Sequence, residues 1–144
     1  MGRARALDRL NRPAEALADW ERALELDDGS MRTRLRLTRA LALAKAGEPA
    51  KALVAADELA GAEKLGSREL YDLSCVCAIA AAKLPAADAD RHAARAVVLL
   101  RQAFANGYSN VTHMVQDADL DSLRSRPDYV GLLWDLVDGQ VHSK

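Results

Sequence analysis

The chain is poor in aromatic residues, with one Phe, two Trp and three Tyr among 144 residues. A sheet-based core draws on β-branched and aromatic side chains, so this shortage argues against one. Charge of one sign is also missing. Twenty basic residues stand against 21 acidic ones, a balance that disfavours a general binder of nucleic acid or of membrane surfaces. Cysteine is scarce: Cys75 and Cys77 lie two apart on what should be one helix, pointing to different faces, and are badly placed to bridge. No apolar run has the length of a bilayer span, and no secretory signal opens the chain. A cytoplasmic protein is expected.

Motifs that carry chemistry are missing as well. There is no Gly-rich phosphate loop, no Gly-x-Ser-x-Gly elbow and no kinase motif. His92, His113 and His142 are far apart, and none pairs with a cysteine at metal-ligand spacing. Asp117, Asp119 and Asp121 have the spacing that opens a calcium loop, but Ser122 stands where Gly is needed and Asp128 where a bidentate Glu is needed. An acidic turn that caps a helix is the better account. Cys75 reads as a small buried helix residue. No catalytic residue, metal or cofactor is expected, and the chain is read as not an enzyme. Asn110-Val111-Thr112 matches a glycosylation acceptor, which carries little weight without a secretory route.

What the chain does have is Ala, Leu and a repeat. Asn11-Arg12-Pro13-Ala14-Glu15-Ala16-Leu17 returns as Gly47-Glu48-Pro49-Ala50-Lys51-Ala52-Leu53, and a worn third copy of its end stands at Ala94-Arg95-Ala96-Val97. Apolar residues at spacings of three and four predict helices over 13–27, 31–46, 49–60, 67–83 and from Pro85 to about Tyr108. Pro near the start of a helix and Gly or Asn-Gly after its end punctuate the pattern, and Ser67 is the expected cap of the fourth helix. Leu120, Leu123, Tyr129, Leu132, Leu133 and Leu136 form two short amphipathic pieces separated by Pro127. The fold predicted is all-α, an α-solenoid of antiparallel helical hairpins. Ala16, Ala52 and Ala96 fall where the second helix of each hairpin crosses the first, and a bare methyl there allows close approach. Trp20, Ala56 and Leu100 come one turn later.

The order of a small residue, a large one four on and a small one seven on, followed by Leu24-Glu25-Leu26-Asp27, resembles the second helix of a tetratricopeptide repeat. That family repeats every ~34 residues, whereas the intervals here are longer, and Thr38, Ser74, Leu41 and Cys77 replace signature residues of its first helix. The resemblance implies a right-handed solenoid with a truncated first repeat over 1–28, a second over 31–60 and a third over 67–107. A capping segment over 110–138 completes it. Residues 67–137, with Tyr71-Asp72-Leu73-Ser74-Cys75-Val76-Cys77-Ala78 and the stretch from Asp117 to Leu133, are similar to the carboxy-terminal repeat region of bacterial Hanks-type serine/threonine kinases and related proteins. The first helix of the first repeat, Gly2–Leu10, is short by about one turn, so the chain is expected to begin inside a repeat, with a further repeat or domain upstream.

In such a stack the first helices line a concave groove. The stripe expected to face it is Arg32, Leu35, Arg39 and Leu43 with Arg36 beside it, then Arg68, Tyr71, Asp72 and Cys75, with Arg5 and Arg9 as an extension. Guanidinium groups and a Tyr suit an acidic peptide. The family's clamp for a chain-terminal carboxylate does not carry over: Arg5 and Arg36 stand where Asn is expected, and Asp72, where Arg is needed, would repel the ligand. The function expected is a non-catalytic protein–protein interaction scaffold, an attachment of the kind found on larger signalling proteins. The alternative is a homodimer assembling through Leu7, Leu10 and Trp20 on an open amino-terminal face.

Overall fold

The computed structural model describes residues 13–26, 32–62 and 64–139. Among them every regular element is helical: α1 (Pro13–Leu26), α2 (Arg32–Lys45), α3 (Pro49–Ala62), α4 (Ser67–Ala81), α5 (Ala86–Ala105), α6 (Val111–Gln116), a 3-10 segment (Ala118–Leu123) and α7 (Pro127–Val137). The first five match the predicted spans to within a few residues. The carboxy-terminal part departs from prediction in having three pieces rather than two. Helix α6 is the unforeseen one, started by Asn110, whose Oδ1 accepts the His113 amide at 3.0 Å.

Turn chemistry sets the helix ends. After α2, Gly47 takes φ +85°, and the Glu48 amide reaches back to the Leu43 carbonyl at 3.0 Å. The same closure ends α5, where Gly107 has φ +112° and the Tyr108 amide donates to Ala103 at 3.0 Å. Both turns need a residue that enters the left-handed region without a Cβ penalty. The cap of α4 corrects the sequence reading. Gly66, not Ser67, is the capping residue, and the Glu69 side chain reaches back to accept the Gly66 amide at 3.0 Å.

Packing follows chain order. Helix α1 lies against α2, α2 against both α3 and α4, α3 against α4, and α4 against α5 in the most extensive contact of the molecule. The 3-10 segment covers α4, and α7 packs on α5. Ala52 and Ala96 are fully buried, as are Ala56, Leu59, Leu100 and Ala103. The side chain of Ala16 lies outside the described residues. The close approach of the helices rests on these methyls, because any longer side chain at a filled crossing must displace its neighbours.

Polar ties join segments distant in sequence. The Lys83 ammonium caps the end of α2, donating to the carbonyls of Ala44 at 2.6 Å and Lys45 at 3.1 Å. Arg95 of α5 pairs with Asp57 of α3, and Arg101 with Asp135 of α7 at 2.7 Å. Arg126 holds Asp128 through Nε and Nη2 and reaches Asp90 at 2.9 Å. These carboxylates hold the Arg126 guanidinium above its usual pKa. Leu120, Leu123, Tyr129, Leu132 and Leu136 are buried and extend the main core into the carboxy-terminal segment.

Candidate functional site

A cavity of about 320 Å³ opens where α2, α4 and the segment from Tyr108 to Asp119 meet. Helical spacing brings Arg68, Tyr71, Asp72 and Cys75 of α4 to its wall. The glycine turn after α5 folds Tyr108 back onto Phe104, edge to face at 5.2 Å, and stacks it on Tyr71 at 4.5 Å. His113 of α6 lies against the Tyr71 ring at 5.6 Å. Leu41 is the contribution of α2.

Asp117 is the hub. Its Oδ1 accepts the Asp119 amide at 3.0 Å and so starts the 3-10 segment, the capping turn expected from the acidic run. Its Oδ2 accepts the Tyr71 hydroxyl at 2.8 Å and lies 3.3 Å from His113 Nε2 and 3.8 Å from Cys75 Sγ. Arg124 fixes the hub from behind, donating to the Asp117 carbonyl at 2.6 Å and to the Tyr129 hydroxyl at 3.1 Å. The Ser122 hydroxyl donates to the Ala78 carbonyl at 2.8 Å. One carboxylate therefore joins α4, α6 and the 3-10 segment across more than 40 residues of chain.

Electrostatics favour neutral donors at the hub. Burial, then the Asp117, Asp119 and Asp72 carboxylates, push the Cys75 thiol well above its usual pKa. The Tyr71 phenol is raised chiefly by burial, then by Cys75 and by its bond to Asp117. Both stay protonated near neutrality and are poor nucleophiles. Two more carboxylates flank Asp117. Asp72 lies 3.7 Å from Arg34 and Asp119 lies 3.9 Å from Lys45, both partners on α2. Burial nonetheless raises the pKa of each, against the lowering effect of its basic neighbour. Cys75 Sγ and carboxylate oxygens of Asp117 and Asp119 lie within 4.8 Å of one another, making these the described residues best placed to hold a metal ion.

The expected groove stripe is divided by the structure. Arg68 and Tyr71 line the cavity, with Asp72 and Cys75. The α2 residues do not. Leu35 is buried against Trp20 and Ala42, whereas Leu43 and Arg39 line a separate cavity of about 390 Å³ with Val54 and Glu58 of α3. Arg39 pairs with Glu21 of α1 at 3.2 Å and Arg36 with Glu58 of α3 at 3.9 Å. Arg32 is exposed at the start of α2, away from the cavity lining, while Arg5 and Arg9 lie outside the described residues. From α2, Leu41 lines the cavity, Arg34 pairs with Asp72 of α4 and Lys45 pairs with Asp119 of the 3-10 segment. Positions 34, 41 and 45 are the predicted 32, 39 and 43 displaced by two residues, about 200° of turn, so the face towards the cavity is nearly opposite the predicted one. Trp20, expected on an open assembly face, is only 2 % exposed, and Leu7 and Leu10 lie outside the described residues.

Sequence reading missed the site's other half, namely Tyr108, His113, Asp117 and Asp119 as partners of α4. Two local signals pointed there: Asn106-Gly107 fixes the return of Tyr108, and Asn110 starts the helix that carries His113. Neither signal says which helix the segment packs against. Among the described residues no helix is long and apolar enough to cross a membrane. Comparison with protein-family models, curated proteins and solved structures finds no match.

Proposed function

We propose that the chain is a non-catalytic protein–protein interaction module, an α-solenoid of tetratricopeptide-like hairpins that binds a segment of a partner along the face shared by α2 and α4. The observation that supports this reading most is the open cavity at that face, walled by a helix stripe and by the carboxy-terminal segment packed beside it. Its walls are held by hydrogen bonds and ring contacts among themselves, so a ligand meets side chains that are already ordered and binding costs little conformational entropy. The order of contacts, with α2 against both α3 and α4, suits a stack whose first helices share one side. The protonated thiol and phenol suit recognition better than nucleophilic chemistry.

Selection of peptides from a displayed random library against the purified chain, followed by chemical-shift mapping of a selected peptide, tests the proposal. A shared sequence pattern is expected, with shifts at Arg34, Leu41, Arg68, Tyr71 and residues 108–119. Failure to enrich any peptide, or shifts confined to the outer side of α5 and α7, would count against it.

A further inference from the structure

We infer that the chain pairs with a second copy of itself through the groove between α5 and α7, each copy seating its Trp134 in the groove of the other about a two-fold axis. This surface shares no lining residue with the cavity at α4, so the pairing is independent of the binding module proposed above.

The outer side of α7 is apolar, where the end of a helical stack is ordinarily polar. Val130, Trp134 and Val137 follow a spacing of four and three, which puts their side chains on one face of the helix. Trp134 is 65 % exposed and Val137 75 %, whereas the other tryptophan, Trp20, is buried. Beside this stripe lies a groove of about 440 Å³, lined by Val97, Val98 and Arg101 of α5 and by Asp128 and Gly131 of α7. Gly131, three residues before Trp134, leaves the groove open on its α7 side, and a Cβ added there would meet nothing within 4 Å. A protruding ring and an open slot therefore stand side by side on one surface.

A second copy fits this surface in shape, charge and area. A two-fold axis sets a patch against itself, so each ring meets the other copy's slot and both contacts form together. The rim carries Arg101 and Gln102 on the α5 side and Asp135 and Asp138 on the α7 side. Opposite signs meet when α5 of one copy lies along α7 of the other, whereas a ligand of one sign meets a like charge. Arg101 already donates to Asp135 at 2.7 Å within one copy, yet the two side chains keep 44 % and 32 % of their surface exposed and can share further hydrogen bonds across the axis. With the exposed Val98 and Val130, the stripe supplies on the order of 400 Å² of apolar surface per copy. That is close to the apolar share of the ~800 Å² that each partner contributes to a standard interface. Trp134, as a large ring entering a pocket, is the anchor of the contact.

Sedimentation velocity of the full chain over a concentration series tests the inference. A monomer–dimer equilibrium with a dissociation constant on the order of micromolar is expected, and tryptophan emission should shift to the blue as the dimer forms and Trp134 leaves water. Trp134→Ala should weaken the dimer by at least about a hundred-fold, because two anchors are lost at once. Gly131→Gln should do the same by filling the slot, while the open space at that position leaves the monomer fold intact, as circular dichroism would verify. An equimolar mixture of the two variants should associate about ten-fold more tightly than either alone. The ring kept by the Gly131→Gln chain then enters the slot kept by the Trp134→Ala chain. A parent chain that stays monomeric at its highest soluble concentration would overturn the inference and leave the stripe to a different partner. A dimer indifferent to Trp134→Ala, or a mixture no tighter than either variant, would overturn it as well, the latter pointing to rings that stack on each other rather than enter a slot.

Discussion

The two halves of the molecule are built differently. From α1 to α3, helices meet through Ala and Leu, with Trp20, Leu35 and Ala42 forming a small separate cluster, and the polar contacts between them are ion pairs of partly exposed side chains. From α4 onward the core holds Phe104, Tyr71, Tyr129 and Met114, and the Asp117 hub with its partners crosses from helix to helix. Small-residue packing builds a scaffold with few chemical handles. A binding site needs polar groups that are ordered and partly desolvated, and those collect where the second half closes on α4.

The contrast should appear first in stability. Phe104 is 1 % exposed and supports the Tyr108 turn from beneath, so Phe104→Ala is expected to cost about 3–5 kcal/mol in chemical denaturation and to abolish ligand binding with it. A crossing in the first half should fail by crowding instead. Ala52→Leu puts three extra carbons at a fully buried crossing and should cost about 1–3 kcal/mol, with little change in near-ultraviolet signals from Tyr71 and Tyr108. If Ala52→Leu were neutral, the α2–α3 crossing would not depend on a methyl.

The hub is sharpened by a double-mutant cycle. Tyr71→Phe removes the hydroxyl given to Asp117 and should cost about 0.5–1.5 kcal/mol, and combination with Asp117→Asn should be non-additive because the two share one bond. Additive losses would mean that the hydroxyl and carboxylate act independently. Asp119 gives a pH signature. Its folded pKa is raised by burial, so the native state holds its proton more tightly than the unfolded chain, and the cost of its charge is relieved as pH falls through the folded value. Asp119→Asn is therefore expected to be more stable than the parent at neutral pH, with the advantage shrinking towards the ordinary Asp value of about 3.9. The smallest effect belongs to the first half. Arg39→Ala breaks a partly exposed pair with Glu21 and should cost less than about 1 kcal/mol, fading with added salt.

The scaffold was legible where its determinants are local. Helical spacing gave five helices, Asn106-Gly107 and Gly47 gave their ends, and the small residues at 52 and 96 marked buried crossings. The α4 stripe was legible too, since Tyr71 and Cys75 fall one turn apart. Rotation of α2 was not. Arg32, Arg36 and Arg39 share one face of the helix while Arg34, Thr38 and Lys45 lie on the opposite one, so the polar residues do not single out one outward face. Only the partners on α1, α3 and α4 decide that Arg34 turns towards the cavity and Arg39 away from it. The acidic and aromatic wall was illegible for a related reason: Tyr71 and Asp117 are 46 residues apart, and no local pattern encodes that pairing.

Hydrogen–deuterium exchange of the chain with and without a library-selected peptide tests the central claim most directly. Slower exchange at residues 67–75 and 108–119 is predicted, where the α4 stripe and the acidic hub face each other. Protection confined to α1, or to the outer side of α5 and α7, would contradict it.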